Sequence, residues 1–564
     1  MVRLAYMLFV VFGLTFPAWS MSKPQCEHVD SPASGHEQVK IVGHTLPTLP
    51  NIDPEESRAM IIQALHRWNQ QSESNVLFSY NGTASSPVRA RKGCGRSCNG
   101  LNTVEIADLC EGGPAFFQQR CQGDTLCIPN NKYHQWRIVI CNSYYTKDNP
   151  QNIVQMNWGV GDTSSPNRDL LGTLMHEFAH AQGLGHPGGP NADDPYCDGD
   201  AAVAGGSNCG GMHRLSRRDL YRYDQLCAED GKGIRNRKLH HVQANDDIFT
   251  YTTRSVPGGA SNATAWQNHL HKRVDVQRGD ERTMRDLLSV NTIFSTYTED
   301  NLMRARQAGS YGNPFSSVLN SLMSIRNLDT TIDWYQRTTA SAFSMSDQEW
   351  ITQTQCTNAA CSNTKPIKSL YPIELTKGLS PSSTIYGTWV DFDRQTQTDA
   401  YRVQIGKRSS SLQNASFSVN ILQSALRSSI KPTLACVSSM ALCHLYYVPI
   451  EDAKSRIHLQ FLMLNNNGEL IAPFGVSGFP IKHEDSYIAT GSNLTSWVRQ
   501  GTDDKYYAYL AFASNDIGMP MKILKFAFGT AQSIDSATFG TVFSSPSISR
   551  YQPSGNIDLI WIGP

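Results

Sequence analysis

His176-Glu177-Phe178-Ala179-His180-Ala181-Gln182-Gly183-Leu184-Gly185-His186 is the stretch that decides how the first half of this chain is read. Leu171, Leu174, Met175 and Phe178 recur at helical spacing, which predicts a helix that begins near Asn167 and stops at Gly183. On that helix His176 and His180 are four residues apart, so they leave one face and can reach one metal ion. Glycine tolerates the left-handed turn that would bring His186 back as a third nitrogen ligand. Three protein ligands with a fourth position open are the pattern of a catalytic rather than a structural zinc ion. Glu177 sits between the two histidines, where its carboxylate can act as general base toward a metal-activated water.

Upstream, Asp53-Pro54-Glu55-Glu56 reads as a helix start: an acidic cap, a proline at the first helical position and Glu56 three residues after the cap. Ile61, Ala64, Leu65 and Trp68 then give that helix a buried face. Val76, Phe78 and Tyr80 alternate as a strand does, and Trp136 to Cys141 form a second strand run. A third helix is expected after Ser216, with Asp219 as the partner of its cap.

The run from His176 to His186 resembles the extended zinc signature of the metzincin metallopeptidases. Met212, in Cys209-Gly210-Gly211-Met212, looks like that family's turn methionine. Pro187-Gly188, Asn191, Asp194 and Tyr196 are similar to the serralysin branch, and Leu171-Gly172-Thr173 to the matrixins. The resemblance covers residues 45–240. It implies an α+β domain, a mixed sheet with three main helices, that hydrolyses peptide bonds in protein or peptide substrates; the alternative reading is a surface-binding or adhesin protein in which that domain is accessory or inactive. The implied zinc ligands are His176, His180 and His186, with Glu177 catalytic.

Arg3, the apolar run Leu4–Phe16 and Ala18-Trp19-Ser20 read as a cleavable signal peptide over residues 1–20, so a secreted protein is expected. Export makes the 14 cysteines candidates for disulfides. Ten fall between Cys26 and Cys227, where connectivity stays open; Cys356 with Cys361 and Cys436 with Cys443 each close a short loop. Cys26, in Lys23-Pro24-Gln25-Cys26, has two readings: a latency thiol over the metal, as in matrixin propeptides, or a disulfide partner, which the even count favours. Asp193, Asp194, Asp198 and Asp200 could offer oxygens to Ca2+, but their spacing matches no EF-hand and favours a solvated loop. Lys plus Arg and Asp plus Glu both number 49, a balance that argues against a nucleic-acid partner. Stable membrane insertion is not expected either, since no later apolar run is long enough.

Residues 21–50 read as a short N-terminal segment, 51–227 as the metal-site domain, and the charged, Gly-containing stretch 228–245 as a linker between two independently stable parts. Residues 246–564 carry short β-type runs, among them Ile248–Tyr251, Ile332–Tyr335, Trp389–Phe392, Leu445–Val448, Tyr507–Leu510 and Ile557–Trp561. Their recurrence at about 40 to 60 residues suits propeller blades, with β-sandwich domains as the alternative. Trp334, Trp389 and Trp497 are candidates for a protein- or glycan-binding surface on that β-rich region, or else members of its core.

Overall fold

The computed structural model describes residues 37–42, 49–71, 78–84, 102–120, 135–159, 168–181, 238–245 and 248–255. From there it describes strand segments between 309 and 418, then 426–465, 470–473, 478–542, 546–551 and 557–563. The stretch expected as a signal peptide, Cys26, His186, the aspartates at 193–200, Met212 and the helix expected after Ser216 lie outside the described residues.

The N-terminal part is a mixed sheet with two helices. Its strands are β1 (Glu37–Val42), β2 (Phe78–Ala84), β3 (Asn102–Glu111), β4 (Ala115–Arg120), β5 (Gln135–Thr146) and β6 (Asn149–Gln155). They run in the order β2-β1-β3-β5-β4, with β6 on the far end of β5. The first four are mutually parallel, while β4 and β6 lie antiparallel to β5. Cys110 of β3 and Cys141 of β5 form a disulfide across this sheet. A two-residue bridge joins β7 (Trp158–Gly159) to β8 (Arg168–Asp169).

Helix α1 spans Pro54–Gln71. Its start is the reciprocal cap expected from sequence: the Glu56 N–H donates to Asp53 Oδ1 at 2.8 Å, and the Asp53 N–H to Glu56 Oε2 at 3.1 Å. Helix α2 spans Leu170–Ala181 and holds the histidine pair. Trp68, Phe78, Trp136, Leu174, Met175 and Phe178 form one core between sheet and helices. Phe78 and Phe178 pack with ring centres 5.2 Å apart, and Trp136 meets Phe178 edge-on at 6.0 Å.

The remainder is β-rich. β9 (Lys238–Asn245) and β10 (Ile248–Ser255) pair antiparallel. The last residues of the stretch expected as a linker, Lys238–Asn245, thus form a strand. Next come β11 (Gly309–Gly312), β12 (Leu319–Arg326), β13 (Ile332–Thr339) and β14 (Ile351–Gln353), a consecutive four-stranded meander. β15 (Gln355–Cys356), β16 (Glu374–Lys377), β17 (Ile385–Val390), β18 (Val403–Arg408) and β19 (Phe417–Ser418) form the following sheet, with β15 on its outer edge. β20 (Thr433–Val437), β21 (Leu442–Tyr447), β22 (His458–Leu464) and β23 (Leu470–Pro473) make another, joined by β24 (Phe479–Pro480). Cys436 and Cys443 face each other across β20 and β21 and are bonded, as their spacing predicted.

β25 (Lys482–His483), β26 (Ser486–Tyr487), β27 (Thr495–Gln500), β28 (Tyr506–Ala513), β29 (Pro520–Ala527) and β30 (Gln532–Thr541) form the next sheet. Finally β31 (Ser547–Tyr551) pairs with β32 (Ile557–Gly563), and β32 pairs with β9. The last strands of the chain thus complete the sheet that β9 and β10 began. One edge strand from each of these five sheets touches the next in turn: β31 against β11, β11 against β16, β16 against β20, β20 against β27. Trp389 and Trp497 are buried, so both belong to the core and not to a binding surface. Among the described residues no helix is long and apolar enough to cross a membrane.

The two parts share a built interface. The His66 ring nitrogen donates to Asn515 Oδ1 at 3.2 Å, and Arg67 Nη2 to the Ser429 carbonyl at 3.2 Å. Lys454 pairs with Asp53 at 2.8 Å. The turn between β28 and β29 reaches into the first part: the Gly518 N–H donates to the Tyr80 carbonyl at 2.8 Å, and Met519 joins the core of Trp68 and Phe178.

Candidate metal centre on helix α2

Helix α2 forms because its apolar residues fall on the face turned to the sheet. Leu170, Leu171, Leu174, Met175 and Phe178 are all buried. The opposite registers carry His176 and His180, both partly exposed. Their rings meet nearly at right angles, centres 4.7 Å apart, with Nε2 to Nε2 at 3.1 Å. Phe117 of β4 flanks His180, ring centres 6.4 Å apart. Glu177 lies on the same turn, 5% exposed. The helix is tied to α1 by the Trp68 indole N–H, which donates to the Met175 carbonyl at 3.1 Å.

Of the residues singled out from sequence, the fold brings together the His176 and His180 rings, while Glu177 is a buried neighbour on the same turn. Among the described residues no group of three or more His, Cys, Asp and Glu side chains is gathered as a metal site. The donor set that is described, two imidazole nitrogens 3.1 Å apart, is of the type that binds a soft or borderline divalent ion.

Sequence reasoning missed the polar side of α1. Gln63, His66 and Arg67 are buried there although they interrupt the apolar stripe. Burial pushes the His66 imidazole down to about 4. A signal was available: Met60-Ile61-Ile62 is apolar on three consecutive registers, so the helix is covered on more than one face. In the β-rich part burial likewise drives His444 down to about 3; it stacks on Phe528 at 4.1 Å and accepts the Gly529 N–H at 2.8 Å.

No family model matches the chain, and no curated protein does. Among solved structures it is similar to AofleA from Arthrobotrys oligospora, at 11% identity and a TM-score of 0.24, over 42% of this chain and 59% of that one. It spans less than two thirds of that protein. It is similar to the GH43_1 enzyme from Xanthomonas citri complexed with xylose, at 10% identity and a TM-score of 0.28, over 45% of this chain and 86% of that one. A GH43 β-xylosidase/α-arabinofuranosidase from a compost metagenome gives 9%, 0.28, 45% and 90% in the same measures. None of these printed names is that of a metallopeptidase, and no family model marks the chain as one. On that finding the expectations of a metzincin family member, of a zinc endopeptidase and of peptide substrates are corrected. Likenesses this distant carry no substrate or activity over to this chain.

Proposed function

We propose that α2 is a metal-binding helix, with His176 and His180 as two ligands of one divalent ion, zinc by the chemistry of the donors, and His186 as the third. The observation that supports this is the 3.1 Å between the two Nε2 atoms. Two nitrogens each about 2.0–2.1 Å from a shared tetrahedral ion stand roughly 3.4 Å apart, a few tenths of an ångström from what is found. A bound zinc ion would supply Lewis acidity and a water that ionises near neutral pH. Glu177 would hold the proton of that water on its carboxylate, and the apolar residues of α2 would keep the helix face fixed against the sheet. The competing reading is a hydrogen bond between two neutral imidazoles. Metal analysis of the full chain separates them: about one zinc per chain, lost in His176→Ala and in His180→Ala, is expected, and a metal-free wild type after growth in zinc overturns the reading.

We propose further that the β-rich region is a five-bladed propeller that presents a binding surface. Five successive, mainly antiparallel sheets, edge strands that touch in turn, and a first sheet completed by the last strands support this over sandwich domains. For the surface, Tyr487 and Phe479 are exposed, at 49% and 56%. Lys482 Nζ and Arg456 Cζ lie 4.7 and 5.3 Å from the Tyr487 ring centre. The exposed Tyr487 ring beside Lys482, and beside Arg456, which also pairs with Asp452 at 2.8 Å, suits a glycan or protein surface. Glycan arrays with the full chain test this; signal unchanged by Tyr487→Ala would remove Tyr487 from the role. Residues 1–20 read as a leader, and on that reading the protein is proposed to work outside the cell.

A further inference from the structure

Helix α1 lies between the β-rich part and α2, and its two flanks make different kinds of bond. Toward α2, the indole of Trp68 is fully buried and its N–H reaches the carbonyl of Met175, the residue before His176. Within a helix that carbonyl already serves the ladder, so the indole adds a second donor that fixes α2 against α1. Toward the β-rich part, Asn515 Oδ1 accepts from the His66 ring at 3.2 Å and from the Gly491 N–H at 3.1 Å. Arg67 adds a buried bond to the Ser429 carbonyl. Met519 closes the same relay from the side, since it is fully buried in the core that contains Trp68 and Met175.

Resting on the reading of α2 as a metal helix, we propose that Trp68 and Asn515 are positioning residues, through which the β-rich part sets the placement of His176 and His180. Ligand placement matters at the level of about 0.5 Å, and groups that orient ligands typically change metal affinity about 10–100-fold when removed. Neither residue touches the ion. Trp68 acts through the Met175 carbonyl and Asn515 through His66 of α1.

The test uses the full chain, freed of metal and titrated with Co2+. It follows the visible d–d bands and, separately, competition with a chromophoric chelator. Trp68→Phe keeps an aromatic ring in the core but removes the N–H together with the volume of the indole's second ring, so Asn515→Ala, which leaves that core intact, is its control. Trp68→Phe is expected to weaken Co2+ binding about 10-fold and to change the band pattern while near-ultraviolet dichroism stays native. Asn515→Ala, on the far side of α1, is expected to weaken binding in the same direction. The double variant is expected to fall no further than Trp68→Phe alone, because the two lie on one path. If Trp68→Phe does not fold, Asn515→Ala decides by itself. Native affinity and bands in both variants overturn the positioning role while leaving the metal reading intact. A wild type that shows no d–d bands overturns both.

Discussion

The thioether of Met519 accepts the Tyr80 backbone N–H at 3.4 Å, and its side chain is fully buried in the core of the mixed sheet. A residue from the turn after β28 thus completes a core built from residues 39–181. The expectation of two independently stable parts does not suit this arrangement, since the first part would lose a core side chain and its partners for His66 and Arg67.

Met519→Ala is therefore expected to lower stability by about 2–5 kcal/mol, the range for a buried methionine truncated to alanine. Denaturant unfolding of the full chain should show it. A chain ending at residue 240 is expected to remain unfolded or aggregate; a cooperative thermal transition for that fragment would refute the shared core.

Gly491→Ala should loosen the same interface from its other side. A Cβ at this position would come within 2.7 Å of Gln63 Cα and 3.0 Å of the His66 ring. Backbone must move, at a cost of about 1–3 kcal/mol. Lys454→Ala removes the ion pair with Asp53, whose partners are both more than a third exposed, and should change stability by less than about 1 kcal/mol. The ranking of the two variants in one melting experiment checks the argument; a larger loss for Lys454→Ala would contradict it.

Acid should destabilise the fold before its carboxylates titrate. His66 and His444 are held neutral by burial at about 4 and about 3, against an ordinary 6.5. Between those values the unfolded chain binds protons that the folded one does not, so their stability contribution is complete above pH 6.5 and falls toward pH 4. Each could remove roughly 3 kcal/mol over that window. Melting temperature against pH should decline on the acid side, and His66→Gln should make the decline shallower. An identical slope in that variant would show that His66 does not titrate as its burial demands.

The Cys436–Cys443 bond closes a short hairpin across β20 and β21. Replacing both cysteines by serine is expected to cost about 2–3 kcal/mol, the loop-entropy value for a closure this short. Unfolding with and without reductant measures it; wild type under reductant should approach the variant.

Local chemistry made some elements legible. Asp53-Pro54-Glu55-Glu56 carries its own cap partners, so the start of α1 follows from bonds three residues apart. The apolar spacing of α2 and the four-residue step from His176 to His180 likewise determine that two imidazoles share a face, because helix geometry alone brings them together. The short β runs announced strands, and Cys436 with Cys443 announced a bridge. What the sequence did not contain is anything set between distant residues. The pairing of β9 with β32, the Met519 plug and the burial of His66 against Asn515 join positions hundreds of residues apart, and no local pattern encodes the partner. The motif around Glu177 led to a family and a reaction that the comparisons do not support, since spacing dictates which side chains converge but not what is bound beside them. Only the tertiary structure decided that the first part is finished by the second, because burying a side chain requires a surface to bury it against, and here that surface is supplied by the far end of the chain.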